Sequence, residues 1–252
     1  MQMKSPFIGL FYLLMIKFQE IIVDTLKKFQ TKIGYSFYDI NLLKLALMHS
    51  SYGNEIFRDR KHNNERLEFL GDAVLELAVS KVLYDKYNDL PEGELTKIRA
   101  SIVCEPTLAL CARNIGLDKM ILLGKGEEMT GGRFRDSIIS DAFEALIGAI
   151  YRDGGIECAT GFINEFVMND IDNKKLFVDS KSVLQERLQS VFKAGPTYVV
   201  VGEEGPDHCK IFHVEARYED KVLGRGEGST KKGAEQKAAY DAIINMQKHN
   251  NT

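Results

Sequence analysis

The run Asn64-Glu65-Arg66-Leu67-Glu68-Phe69-Leu70-Gly71-Asp72-Ala73-Val74-Leu75 places three carboxylates in a segment that otherwise reads as buried helix. At roughly 100° per residue, Glu65, Glu68 and Asp72 fall within about a 60° arc of one face. Glu68 and Asp72 stand at i, i+4, where like charges repel even in water. Asp72 and Gly71 are also weak helix formers, glycine by about 1 kcal/mol relative to alanine. A segment that breaks local rules this densely does so for a site. Hard carboxylate oxygens suit a divalent cation such as Mg²⁺ or Mn²⁺.

A second pair, Asp141 and Glu144 at i, i+3, lies among Ala142, Phe143, Ala145, Leu146 and Ile147. Either pair alone is most simply a solvated helix edge. Two apolar helices that each carry such a pair can instead face each other and form one four-carboxylate cage, which needs cations to hold its charges together. Two metals there would suit phosphodiester hydrolysis without a serine or cysteine nucleophile. The residues alone leave nuclease and pyrophosphatase both open. The lack of Glu-x-x-His on these helices argues against a di-metal oxygenase.

The 252 residues allow one large domain or two ordinary ones. A net charge of -3 gives no bulk attraction to nucleic acid, so any RNA contact must use local basic clusters. Cys104, Cys111, Cys158 and Cys209 show no metal-type spacing and read as free thiols of a reducing compartment. The apolar run Pro6 to Ile16 is too short to span a bilayer and lacks a small-residue cleavage site, so residues 1–16 read as an extension of a cytoplasmic protein with no membrane partner.

Residues 17–170 read as nearly all helix. Leu42, Leu43, Leu45, Ala46 and His49 share one helical spacing, and Asn63/Asn64 are N-cap candidates for a helix from Glu65 to about Tyr87. Pro91 and Pro106 are first-turn prolines of helices 92–103 and 108–114. Gly124 to Gly132 reads as a loop. A strongly apolar helix from Asp136 to Asp153 is stopped by Gly154-Gly155, and 157–168 is helical again. Residues 171–179 form a charged linker. Within 180–249, a helix 182–192, strands 198–202, 210–218 and 221–226, and a helix from Ser229-Thr230 to Gln247 give an α-β-β-β-α module. The fold class is therefore α+β multidomain: a helical domain followed by a small two-layer one.

Glu65 to Asp72 closely resembles the signature of bacterial ribonuclease III, and Asp141 to Ala149 resembles its second metal segment. His49-Ser50-Ser51-Tyr52, Pro91 to Thr96 and Arg135-Asp136-Ser137 are similar to further blocks of that family. The resemblance runs from about residue 20 to the end. It implies a Mg²⁺-dependent endonuclease for double-stranded RNA, with Mn²⁺ able to substitute, that dimerises through its catalytic domains and leaves 5′-phosphate and 3′-hydroxyl ends. Ribosomal RNA precursors and structured messenger or small RNAs are the implied substrates.

Carried over by position, Glu68, Asp72, Asp141 and Glu144 match the metal ligands, with Asp72 and Glu144 at the positions called catalytic. Glu65 and Glu92 match accessory acidic residues. Phe69 matches an aromatic that packs into the partner subunit, although plain helix core is its other reading. A non-cleaving double-stranded RNA-binding regulator remains the rival function.

Residues 182–245 resemble a double-stranded RNA-binding domain through Gln185, Gly205-Pro206-Asp207-His208 and Gly226 to Glu235. Lys231 and Lys232 sit in the first turn of the last helix, where free N–H groups and the dipole also favour an anion. Gln185 and His208 are expected at successive minor grooves on either side of that phosphate clamp, a span of about 16 base pairs. From Asp179 to Thr252 there are 11 basic and 11 acidic residues, so binding requires the lysines to be gathered on one surface. Gly233 is expected to loosen the first turn slightly.

Overall fold

The computed structural model describes residues 21, 23–58, 61–205, 210–228 and 230–250. The extension 1–16, His208 and Cys209 lie outside the described residues. The chain runs through helix α1 (23–33), α2 (Ile40–Ala46), α3 (Ser50–Phe57), α4 (Glu65–Lys86), α5 (Glu92–Ile102), α6 (Glu105–Ile115), α7 (Lys125–Met129) and α8 (Asp136–Ile163). It continues through α9 (Ile171–Val178), α10 (Ser180–Phe192), strands β1 (Thr197–Glu204), β2 (Ile211–Tyr218) and β3 (Lys221–Gly228), and α11 (Lys231–Asn250).

The helical region is organised around α8, whose Ile139, Ala142, Phe143, Ala145, Leu146, Ile147, Ala149 and Ile150 are all fully buried. A helix apolar around nearly its whole circumference must be central. On α4 the buried residues Leu67, Gly71, Val74, Leu75, Ala78 and Val79 keep helical spacing and turn one face to α8. Gly71 and Gly148 set how closely the two helices pack. A Cβ on Gly71 would collide with the Glu144 carbonyl oxygen and come within 2.9 Å of the Gly148 nitrogen. A Cβ on Gly148 would strike the Leu67 carbonyl in return. The helix-weakening glycine of α4 is thus the residue that lets two backbones touch.

Several local expectations give way to tertiary context. His49 does not extend α2; it caps α3, its Nδ1 accepting from the Ser51 N–H at 3.3 Å. The α4 start is shared: Asn63 Oδ1 accepts from Glu65 N–H (3.2 Å), while Asn64 donates through Nδ2 to the Ala46 carbonyl (3.3 Å). Pro91 is the N-cap of α5 rather than part of its first turn, whereas Pro106 does lie in the first turn of α6, which starts at Glu105. The expected loop 124–132 contains α7, with Lys125 N–H donating to Glu55 (2.7 Å) and Arg133 held on Glu128. Gly154-Gly155 kinks rather than ends α8: Gly155 takes φ 80°, ψ −175°, and the helix resumes at once. Asp153, just before the kink, accepts from Tyr35 Oη (2.7 Å) and from the N–H groups of Tyr38 and Asp39 (both 2.8 Å), which ties the segment before α2 to the central helix.

The charged stretch at 171–179 is also helical where a linker was expected. Lys174 is buried, and its ammonium donates to the carbonyls of Phe166 (3.0 Å), Val167 (2.7 Å) and Asn169 (2.8 Å). A lysine read as linker charge instead closes the preceding turn by satisfying carbonyls that the helix end leaves open.

The C-terminal unit is an antiparallel sheet in the order β1-β2-β3, with α10 and α11 packed on it around a second core of Leu184, Leu188, Val214, Ala216, Ala234, Ala238, Ala242 and Ile243. Gly224 and Gly226, two apart on β3, face alanines four apart on α11. A Cβ on either glycine would enter the α11 backbone at Ala234, Ala238 or Ala242. Small residues at period 2 on a strand and period 4 on a helix let the two elements lie in direct contact.

Candidate functional site

The glycine-mediated contact between α4 and α8 brings their carboxylates to one place. Glu68, Asp141 and Glu144 each present an oxygen within 4.8 Å of the others, and all three are half-buried. Asp72 is exposed and lies outside that tight trio, close enough for its charge to act on both Glu68 and Glu144.

The electrostatics follow from crowding like charges in a poorly solvated cleft. Burial, then the charges of Asp72, Asp141 and Glu68, push the Glu144 carboxyl up to about 8. Burial, then Asp141, Glu65 and Asp72, push Glu68 up to about 7. Asp141 is raised by burial and by Glu105, with His49 and a hydrogen bond from Ser140 pulling the other way. Near neutral pH the cluster resists full ionisation on its own. Hard oxygen donors with that deficit are a fitting set for a divalent cation, whose charge would offset the repulsion.

The remaining expected site residues separate into groups. Glu65 is exposed on the same face of α4, and its charge reaches Glu68. Glu92 is exposed at the start of α5, where its Oε1 accepts from Thr96 Oγ1 at 2.8 Å, and the charges that shift Glu68, Asp141 and Glu144 come from other residues. Phe69 is 81% exposed, which rules out the reading as helix core. Leu77 (63%) and Tyr84 (73%) continue an exposed apolar line along α4. Two groups acting on Asp141 escaped the sequence reading as site residues. Glu105 fell between two expected helices and broke no local rule, and His49 carried no signal beyond its motif.

In the C-terminal unit, Lys231 and Lys232 are exposed as the first two residues of α11. Thr230 Oγ1 accepts from Gly233 N–H at 3.0 Å, so the turn that was expected to loosen at Gly233 is capped instead. Gln185 is exposed on α10. Cys104, Cys111 and Cys158 are free thiols, as expected. Among the described residues no helix is long and apolar enough to cross a membrane.

Comparison with known proteins bears on most of the chain. A family model described as ribonuclease-III-like matches residues 39–171, and one described as the double-stranded RNA binding motif matches residues 180–246. Ribonuclease 3 of Staphylococcus haemolyticus (strain JCSC1435) is 46% identical over 237 residues, covering 92% of this chain and 97% of that protein. Ribonuclease 3 of Staphylococcus aureus (strain JH9) is 47% identical over 231 residues, covering 90% and 95%. Among solved structures, the nuclease domain of ribonuclease III from Campylobacter jejuni aligns with a TM-score of 0.53 at 41% identity, covering 57% of this chain and 96% of that one.

Proposed function

Because the chain belongs to the ribonuclease III family, we propose that it is a Mg²⁺-dependent enzyme that cuts double-stranded RNA to 5′-phosphate and 3′-hydroxyl ends. The observation that carries this reading is the convergence of Glu68, Asp141 and Glu144 within 4.8 Å. Those three carboxylates, with Asp72 beside them, would hold Mg²⁺, or Mn²⁺ in its place. When bound, the ion supplies charge neutralisation at a phosphodiester and lowers the pKa of water.

The protein's own groups set the stage. Glu144, the carboxyl pushed furthest up, sits among fully buried neighbours on the central helix and gives the site a fixed floor. Asp72, exposed at the rim, is the carboxylate that an approaching strand meets first. Glu144 and Asp72 are the two residues to which we assign catalysis. Glu65 adds negative charge at the same rim, and Glu92 acts as an outer accessory acid from α5.

The catalytic unit, residues 17–170, is joined through 171–179 to an RNA-binding unit, 180–249. There Lys231 and Lys232 clamp phosphate across the major groove, while Gln185 and His208 reach the flanking minor grooves. The protein acts as a homodimer. Phe69 heads the exposed apolar line of α4, and burying one such side chain contributes about 1.5–3 kcal/mol, which favours a partner subunit over open water. The nuclease domain from Campylobacter jejuni is likewise described with a region involved in dimer formation. Ribosomal RNA precursors and structured messenger or small RNAs in the cytoplasm are the substrates this reading assigns.

The test is incubation of the full chain with a long RNA duplex in Mg²⁺ and separately in EDTA. Cutting only with Mg²⁺, to products carrying 5′-phosphate, is expected. Duplex that is bound but uncut in both would replace the enzyme by a non-cleaving RNA-binding regulator.

A further inference from the structure

Glu203, near the end of β1, lies between two lysines from different elements. Its Oε2 is 3.1 Å from Lys210 Nζ, just before β2, and its Oε1 is 3.6 Å from Lys231 Nζ, the first residue of α11. The carboxylate thus gives one oxygen to each ammonium. Lys231 also lies over the ring of Phe212, 5.4 Å from its centroid, and Phe212 is the cross-strand partner of Glu203. Both lysines therefore gather at one corner of the sheet, on the side where α11 begins. All three side chains keep contact with solvent, Lys231 the most at 59% exposed.

Two ammonium groups around a compact, two-oxygen anion make the arrangement that a phosphate would take, since lysine binds phosphate as a point charge. We propose that Lys210 and Lys231 form a two-lysine site for one RNA phosphate, and that Glu203 occupies it as an internal stand-in when RNA is absent. The inference rests on the reading that Lys231 meets RNA, and it adds Lys210 as a second arm. Glu203 holds both lysines at the spacing they need. Once displaced, its charge lies beside the phosphate and opposes it. The residue therefore positions the clamp and caps its affinity, so that a module of zero net charge releases RNA readily. Exposed ion pairs of this kind contribute only modestly, so the expected effects are several-fold rather than large.

The test measures duplex affinity across a range of KCl for the full-length chain carrying Glu144→Gln to prevent cutting. Glu203→Gln, which keeps shape and removes charge, should tighten binding about two- to fivefold. Lys210→Ala should weaken binding and lower the salt slope by a fraction of the roughly one unit that one phosphate contributes, since Lys231 remains on it. In a background lacking both lysines, Glu203→Gln should change nothing. Glu204→Gln is the control: it removes the same charge one residue along, from a carboxylate that faces His213 at 3.5 Å. It should gain less than Glu203→Gln.

An undiminished gain from Glu203→Gln without Lys210 and Lys231, or an equal gain from Glu204→Gln, would show a bulk charge effect and overturn the proposal. So would an unchanged salt slope in Lys210→Ala. If Lys231→Ala with Lys232→Ala leaves affinity unchanged, the clamp reading itself fails. If that pair weakens binding while Glu203→Gln has no effect, only the stand-in fails. Melting temperatures of each variant separate a damaged fold from a weakened grip on RNA.

Discussion

The catalytic cleft and the RNA-binding surface handle charge in opposite ways. Between α4 and α8, like charges are crowded where solvent is scarce, and Glu144 and Glu68 are pushed up to about 8 and about 7 as a result. Around α11 the charges are exposed and of mixed sign, and Lys231 keeps a glutamate at 3.6 Å. The first arrangement stores repulsion that a cation relieves. The second gains little from any one contact, so it suits a grip that must open again. Chemistry needs the rigid, poorly solvated cluster, and recognition by shape needs the soft, wet one.

The sharpest way to separate the two is Glu144→Gln. It should lower cleavage more than about 100-fold, beyond the loss caused by groups that merely support metal ligands, while duplex affinity stays near that of the parent. Parallel loss of binding would merge the two sites and contradict the division. Gel-based cleavage and a binding titration on the same preparation measure both.

Gly71→Ala tests whether backbone contact builds the cluster. The added methyl runs into the Glu144 carbonyl, and overpacking of this kind costs about 1–3 kcal/mol. Both stability and activity should fall. Gly161→Ala, in the same central helix as Glu144 but with open space around it, should be neutral or stabilising by up to about 1 kcal/mol. Equal effects from the two substitutions would remove close approach as the cause.

On the RNA side, Lys231→Ala with Lys232→Ala should weaken duplex affinity several-fold and flatten the salt slope by about one unit for each phosphate no longer neutralised. The rate of cutting at saturating RNA should hold. A drop in that rate with an unchanged slope would place the lysines elsewhere.

The smallest expected effect is a pH dependence confined to the cleft. A glutamate in an unfolded chain titrates near about 4.3, whereas folded Glu68 and Glu144 hold their protons to about 7 and about 8. Over that window the folded chain binds more protons than the unfolded one, so stability falls as pH rises. In EDTA the melting temperature should slide downward from about pH 5 to about pH 8, and Mg²⁺ should remove most of that slope. A melting temperature that does not fall across the window in EDTA would show that the carboxylates do not hold their protons there.

The cleft was the more legible of the two regions. Carboxylates inside apolar helices violate local preference, and a violation can be seen in a single sequence; Glu68, Asp141 and Glu144 were marked by it. Glu105 and His49 were not, because an acid between two expected helices and a histidine at helical spacing violate nothing. The lysines of α11 showed only as a cluster. Their partner Glu203 is separated from Lys231 by a whole hairpin, so it could not be paired with them by spacing. Helix types and order were readable from period and punctuation. The exceptions are α3, α7 and α9, which are held by the His49 cap, by Glu55 and by Lys174 on its three carbonyls.

By itself, the sequence determined which helices would be buried, that two of them carried acid pairs, and that a small α-β-β-β-α unit followed, because hydrophobic period and residue chemistry act over a few turns. Only the tertiary structure decided which carboxylates share a site. Asp72 stands at the rim, outside the trio, and the charges that shift the trio come from residues other than Glu92. That outcome depends on how closely two backbones can approach, a distance fixed by Gly71 and Gly148 together and by neither one alone.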